Sequence, residues 1–587
     1  MRLNVPPLIA VAPVTTTEPV DAVAVLRDVK IVPRVVQEFR PLCESLEWEL
    51  SELYWRTAGL AGFLQNEVPY TINNSGLLSG RAAELLVASC AEAPPSGTLT
   101  LLEVGAGTGL FARYLLDELL RLDRRDGLGI YDRVTFYVTD RSARTVEQWR
   151  EQRVFAGHEA HVVLATCDAL RPEAIQPFSA ERGGETAGAG TAIALAGLRA
   201  VFANYVLDSL PSTVVRKGAG RPLELFVRTH LTSDSARLAQ YTELGLQEIR
   251  ALAESARPED RRQLIPLISV LEFETAFLPC PEPRPFADEA LAVAHEADRA
   301  ILNHGAMQSI ERCLGLLDPA GFMLLNDYGC LKASQMPEQA ATQRFGASAA
   351  LGLNFPLLEH AFRARGHVVM CPEEDSLLPV HPRLIAQREL PRTRNVFMRQ
   401  FGGDAHRAIE GVQERARASI EAGHFEQAKV EYQTALERQP RDWRLLGEIA
   451  EFLIRQVADY ESAHKLVRMA LERNPWSSAW LWNVLGDALF SLDRFAEAHE
   501  AYLRARDVDG ADARTHLNLA YTHAWAGNQG EALDAIARGL TNDRTGAFRG
   551  RLLEKQQQVL GFVTAKYLGE QEWLARRAAR LLQPQGP

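Results

Sequence analysis

The run Glu103-Val104-Gly105-Ala106-Gly107-Thr108-Gly109 carries the most specific chemical signal in the chain. An apolar segment, TLTLL, leads into it, and an amphipathic helix pattern, LFARYLLDELL, follows. Glycines at a strand-to-helix turn let the backbone approach a ligand closely, and the helix N-terminus points free N–H groups there. A pyrophosphate turn of the G-x-G-x-x-G kind wants a third glycine where this chain has Leu110. Here an acid stands two residues ahead of the first glycine and the glycines alternate, which suits a cationic ligand amine better. Later strand ends add polar groups. YVTDRS places Asp140 where a carboxylate can accept two ribose hydroxyls. VVLATCDAL places Asp168 at the next strand end, and AVFANYVLDSLP offers Asn204 and Asp208. Ligands of open α/β sheets sit at the carboxyl ends of the strands, so these residues are expected to converge on one crevice.

The glycine run resembles motif I of class I S-adenosylmethionine (SAM) methyltransferases, in which an acid at the position of Asp168 hydrogen-bonds the adenine amino group. A narrower resemblance, over residues 55 to 400, is to the MidA family, which includes the mitochondrial complex I assembly methyltransferases. It is carried by VPYTINNSGLLSGRAAELL, LLEVGAGTGLFARYLL, VFANYVLDSLP, GFMLLNDYG and RFGASAALGLNFPLLEHAFRARG. The resemblance implies SAM-dependent methylation of an arginine in a partner protein. It implies cofactor contacts from Glu103, Gly105, Gly107, Gly109, Asp140 and Asp168, with Arg81 as partner of the SAM carboxylate, and methyl transfer beside Asn204 and Asp208. One position departs: the family has Asn-Glu after the fourth strand, and this chain has Asn204-Tyr205. A guanidinium is always cationic and a poor nucleophile, so its methylation needs carboxylates that orient it and take its proton. Asp208 remains, with Glu272, Glu274 or Asp327 as substitutes for the lost acid; otherwise the acceptor is not arginine.

The elements that must position these residues read as an α/β domain. Strands are expected at Thr98–Val104, Val134–Thr139, His161–Ala165, Ala200–Ala203, Gly321–Asn326, His367–Met370 and Asn395–Gln400, the last two pairing antiparallel at a sheet edge. Residues 226–290 combine charged segments with PCPEPRPF and read as an inserted helical cap, GGETAGAGTA from Gly183 as a surface loop, and residues 1–40 as an extension without a clear element.

The last third is a repeat. Ala428, Ala463, Ala498 and Ala532 recur at a period near 34; Phe425, Tyr460 and Phe495 precede three of them, and Ala435, Ala470, Ala505 and Gly539 follow. Small residues admitting a neighbouring helix, with aromatics beside them and Pro440 and Pro475 closing two units, resemble the tetratricopeptide repeat. About four units are expected from residue 409, with a helical cap after residue 545. Such arrays bind peptides or proteins on a concave face. Trp443, Trp476, Trp480 and Trp482 read as repeat packing, with a peptide groove as the alternative.

Composition narrows the remaining classes. The chain has 587 residues and 64 Lys plus Arg against 75 Asp plus Glu, for a net charge of −11, so nothing global attracts a polyanion. Seven cysteines without C-x-x-C spacing read as reduced thiols. No run is long and apolar enough for a membrane span, and Pro6, Pro7 and Pro13 break the apolar stretch a signal peptide would need. His158-Glu159-Ala160-His161 is not a zinc pattern, and no metal site is expected.

The combined expectation is a cytoplasmic α/β enzyme. It has a class I methyltransferase Rossmann-like sheet with an inserted helical cap at residues 41–401, and an all-α tetratricopeptide solenoid at 409–587. The cofactor is SAM and the partner a protein or peptide held by the repeats, without nucleic acid or membrane. Self-association is left open. The alternatives are a scaffold acting through its repeats and a small-molecule methyltransferase.

Overall fold

A computed structural model describes residues 34–64, 76–178 and 192–581, with short interruptions at 280–281, 283, 296, 337–341, 378–379, 403 and 544. The expected extension up to residue 33, the first half of VPYTINNSGLLSG and nearly all of the glycine-rich loop after Gly183 lie outside the described residues.

Twelve strands, in chain order, build the first two sheets up to residue 327. They are β1 (Val35–Pro41), β2 (Leu99–Val104), β3 (Val134–Asp140), β4 (Val162–Cys167), β5 (Ala174–Pro177), β6 (Ile193–Ala194), β7 (Leu198–Asn204), β8 (Thr213–Arg216), β9 (Leu223–Leu231), β10 (Leu271–Pro279), β11 (Arg299–Leu302) and β12 (Leu317–Asp327). The central sheet runs β12-β7-β2-β3-β4 with all neighbours parallel. β5 and β6 add antiparallel beyond β4, and His381–Ala386 adds antiparallel beyond β12, followed by Val368–Met370. The first strand of the sheet, β2, is therefore central, and strand order reverses beside it. That places a crevice over the carboxyl ends of β2 and β7. Near-continuous burial along β2 and β7 fits strands covered on both faces. Separate apolar cores fill the two faces, one around Leu102, Val104 and Val201, the other around Leu101, Phe136 and Phe202.

Three expectations are corrected. Asn395–Gln400 is not a strand but the end of the helix Pro391–Gln400. Thr393, Phe397 and Phe401, four apart, bury one face beside the helix Leu77–Glu92, and Pro391 suits the first helical turn. The strand that pairs with Val368–Met370 is His381–Ala386, HPRLIA, buried along its whole length. Pro382 and Arg383 disguise it; the Arg383 guanidinium is neutralised by Glu359 at 2.9 Å and Asp375 at 2.7 Å. The inserted region is likewise not a helical cap but an antiparallel sheet with short helices. β9 carries β10 along one edge and β8 and β1 along the other, and β11 pairs with β8. Its charged residues are the exposed face of that sheet, where Arg228 reaches Glu38 and Glu274. Residues 35–41, expected to lack an element, supply β1.

Beyond the α/β domain the described chain is helical, in antiparallel pairs: Asp404–Glu421 with Phe425–Arg438, Trp443–Phe452 with Tyr460–Arg473, Ala479–Ser491 with Phe495–Val508, and Ala513–Trp525 with Gln529–Asn542. A 33-residue helix, Arg549–Leu581, follows. Ala428, Ala463, Ala498 and Ala532 are fully buried, so the period read in the sequence is the period of close helix contact. The array does not hang free of the α/β domain. Leu110 and Tyr114, on the helix after the glycine run, share a core with Trp443 and Trp476. The Tyr114 hydroxyl donates to the Arg473 carbonyl at 2.8 Å, and Arg113 lies 5.2 Å from the Trp476 ring centre. No helix of the described residues is long and apolar enough to cross a membrane.

Candidate functional site

β2 ends at Val104, and the helix Leu110–Asp126 begins six residues later. The turn between them takes positive φ at Gly105, Gly107 and Gly109. At Gly105 a Cβ would lie 2.7 Å from Val206 Cγ2, and at Gly107 one would lie 2.8 Å from the Phe63 ring. Both positions therefore require glycine for backbone conformation and for space. The turn is stitched to β3: Ala106 N–H donates to the Thr139 carbonyl at 2.8 Å and Gly107 N–H to Asp140 Oδ2 at 3.1 Å. Trp149 Nε1–H donates to the Gly107 carbonyl from the far side at 2.9 Å.

The turn forms one wall of a cavity over the strand ends. Gly105, Gly107, Asp140, Asp168, Tyr205 and Asp208 line it, and Tyr328 follows β12 into the same space. Helix Leu46–Ala58 lies across the opening with Trp48, Glu52 and Trp55 inward. It is pinned there by Trp55 Nε1–H donating to Ser348 Oγ at 2.9 Å, by Ser51 exchanging hydrogen bonds with Ala349, and by the Glu52–Arg141 ion pair. The inserted sheet supports this helix from behind, because Leu46, Leu50 and Leu53 pack with Leu231 and Leu271. The insertion thus reaches the cavity through the helix it holds.

The sequence-expected residues divide by position. Asp140 and Asp168 both reach the cavity. Asp140 Oδ1 accepts from Ser142 N–H at 2.9 Å, so both of its oxygens are fixed; burial nonetheless raises its carboxyl to about 6, against the pull of the N–H donors. Asp168 Oδ1 accepts from Leu170 N–H at 3.0 Å. Glu103 lies just behind the turn, 1 % exposed. Its Oε2 has no hydrogen-bond partner among the described residues, and burial holds its carboxyl well above the usual range. An unsatisfied buried oxygen is costly unless a donor reaches it. Asn204 does not line the cavity; it joins two strands, donating to Glu103 Oε1 at 3.5 Å and accepting from Asn326 Nδ2–H at 2.8 Å. It positions Glu103. Arg81 is also outside the cavity lining, with its guanidinium 6.0 Å from the Phe401 ring centre. Glu274 is bound to Arg228 and His230 on the inserted sheet.

Asp208 is 8 % exposed and faces the cavity. Asp327, fully buried, accepts N–H bonds from Leu207 at 3.0 Å, Asp208 at 3.3 Å and Tyr328 at 2.9 Å, which fixes the turn that carries Asp208. Burial raises both carboxyls, and for Asp327 the neighbouring Asp208 charge raises it further. Tyr205 takes φ +53°, held by its N–H donating to the Asn326 carbonyl at 3.0 Å. Its ring lies beside that of Tyr328, with ring centres 5.2 Å apart. A non-glycine residue in this region is strained and belongs to sites where geometry matters.

Sequence reasoning missed the aromatic wall of Trp48, Trp55, Phe63, Phe345 and Tyr328. For Tyr328 a signal was present, since GFMLLNDYG ends a parallel strand at the same level as the other strand-end acids. The wall's remaining members come from segments far apart in the chain, and no local pattern links them. Among the described residues there is no group of three or more potential metal ligands.

Residues 414–479 and 483–547 match the family model of the tetratricopeptide repeat. No curated protein matches the chain. Among solved structures, an uncharacterized protein from Burkholderia thailandensis is 17 % identical, with a TM-score of 0.36 over 68 % of this chain and 83 % of that one. A Burkholderia thailandensis protein bound to S-adenosyl-homocysteine is 16 % identical, with a TM-score of 0.37 over 68 % of this chain and 84 % of that one. A tetratricopeptide protein of Thermus thermophilus is 19 % identical, with a TM-score of 0.24 over 30 % of this chain and 100 % of its own.

Proposed function

We propose that the chain is a SAM-dependent methyltransferase acting on a protein side chain, with the repeat array recruiting the protein that carries it. The observation behind this reading is the meeting of three acids in one cavity: Asp140 and Asp168 at the ends of β3 and β4, and Asp208 beyond β7 on the turn that the buried Asp327 holds. The residues present fit SAM. Asp140 offers a carboxylate to the ribose hydroxyls, Asp168 an acceptor to the adenine amino group, the turn at Gly105 and Gly107 room for close backbone approach, and Glu103 an unsatisfied oxygen to the amine. When bound, SAM supplies an activated methyl group on a sulfonium.

The chain's own residues then orient, dry and deprotonate. Trp48, Trp55, Phe63 and Phe345 exclude water from the cavity, which strengthens every charge interaction inside it. Asp208 orients the acceptor and takes its proton, with Asp327 holding the turn that carries it. Two adjacent acids of this kind favour a basic acceptor, and arginine is the finer form of the proposal.

The test is transfer of labelled methyl from SAM to proteins in a lysate of the host lacking this gene. A labelled protein band with the wild type, absent with Asp140→Ala, is the expected result, and mass spectrometry of the band names the modified atom. Label confined to small molecules would overturn the protein substrate. SAM binding with no label in any fraction would favour the second reading, a SAM-binding scaffold, which the replacement of the expected acid by Tyr205 motivates.

A further inference from the structure

β10, LEFETAFLP, is an edge strand. It pairs with β9 residue for residue, from Leu271 opposite Leu231 to Pro279 opposite Leu223, and with no other described strand. Among the described residues no backbone hydrogen bond reaches its outer side. A free row of N–H and C=O groups is a template for a further strand, so edges are usually blunted by shortness, bulges, internal proline or charged side chains. β10 is nine residues long, its register with β9 is unbroken, and its one proline, Pro279, is its last residue. Its guard is a pair of acids, Glu272 and Glu274. Its place in the fold is beside the cavity. Phe273 lies under the Arg344 guanidinium at 4.2 Å, and Arg344 pairs with Glu47 at 2.6 Å. Their chain neighbours, Phe345 and Trp48, line the cavity.

Charge on the solvent face selects what this edge accepts. Across the sheet the signs alternate strand by strand: Glu38 on β1 meets Arg228 on β9 at 2.9 Å, and Arg228 meets Glu274 on β10 at 3.2 Å. His230 also reaches Glu274, at 3.1 Å, while the exposed Glu272 has no ion pair among the described residues. Side chains opposite each other on neighbouring strands attract when unlike in charge and repel when alike. The strand that continues the alternation beyond Glu272 and Glu274 carries arginine or lysine at positions two apart. A second copy does not fit: β10 against β10, antiparallel about a two-fold axis normal to the sheet, gathers the glutamates of both copies on one face. We propose that the free edge of β10 takes up an extended segment of the protein that is methylated, as an added strand with basic residues at alternate positions. Strand addition draws affinity from main-chain hydrogen bonds and selectivity from alternate side chains. Naming the methylated protein as the occupant rests on the methyltransferase reading; strand addition to the edge does not.

Calorimetric titration of the full chain with a capped peptide alternating arginine and valine tests it, without cofactor. One-to-one binding is expected. Two further peptides carry backbone N-methyl groups, one at every arginine and one at every valine. A strand turns alternate N–H groups to opposite edges, so one of these should lose binding and the other keep it. Glu272→Arg should weaken the arginine–valine peptide by roughly tenfold and confer binding of a glutamate–valine peptide, with circular dichroism unchanged. Added to the methyl-labelling reaction, the arginine–valine peptide should lower the label in the protein band. No binding by the wild type, two N-methylated peptides that behave alike, a Glu272→Arg variant indifferent to peptide charge, or undiminished label would overturn the proposal. A dimeric wild type that the peptide dissociates would overturn it in favour of a second copy. Peptide binding by a chain that transfers no methyl group would contradict the methyltransferase reading and leave strand addition standing.

Discussion

Asp140 and Asp208 divide the labour of the cavity, and their titration separates the two jobs. The ionised Asp140 carboxylate is the form that accepts ribose hydroxyls, and burial lifts it to about 6. SAM affinity is therefore predicted to fall as pH drops through about 6, measurable by calorimetry, while Asp140→Asn should show weak binding at every pH. Without cofactor the sign reverses for stability. Asp140, Asp208 and Asp327 all hold protons more tightly folded than unfolded, so their contribution favours folding at low pH and is lost as pH rises through their raised values. Asp208→Asn should reduce methyl transfer by about 10²–10⁴ while leaving SAM affinity unchanged. It should also raise stability near pH 8 by about 1 kcal/mol, since it removes one of two like charges in a buried site. Of these residues, Asp140, Asp168 and Asp208 were legible because each ends an apolar run in the sequence. The place of Arg81 rested on resemblance, and its contact with Phe401, more than three hundred residues away, has no local signal.

The glycine turn and the inserted sheet act as elements. Gly105→Ala is predicted to cost about 1–3 kcal/mol from its positive φ alone, plus displacement of Val206, and to abolish SAM binding. Gly105→Ala combined with Val206→Ala should recover part of the stability, because the nearest obstruction is a Val206 methyl. Thermal unfolding of both variants measures this. Parallel strands were readable as elements because their apolar runs are continuous. The strands β9 and β10 were not, since LELFVRTHL and LEFETAFLP alternate charge with apolar residues on a half-exposed sheet, and the flanking prolines and short helices obscured that period. His381–Ala386 was hidden by a proline and by an arginine whose charge is cancelled only in three dimensions.

At the scale of the whole molecule, the repeat array is docked on the helix that carries the glycine turn. Trp443 and Trp476, read in the sequence as repeat packing, are packed both within the array and against Leu110 and Tyr114 of the other domain. The contact fixes the distance between the array and the cavity. Calorimetric unfolding of the wild type is predicted to be one coupled transition. Trp476→Ala should separate it into two, and Tyr114→Phe, which removes one hydrogen bond, should cost about 1 kcal/mol without uncoupling. The existence of the array was legible from its period. Its docking was not, because the residues that meet lie more than three hundred positions apart.

The central claim is that this cavity holds SAM through its strand-end acids, and calorimetric titration of the full chain with S-adenosyl-homocysteine tests it most directly. Saturable one-to-one binding by the wild type, retained in Asp208→Asn and weakened at least roughly tenfold in Asp140→Ala, is the predicted result. No binding by the wild type, or equal binding by Asp140→Ala, would contradict the account.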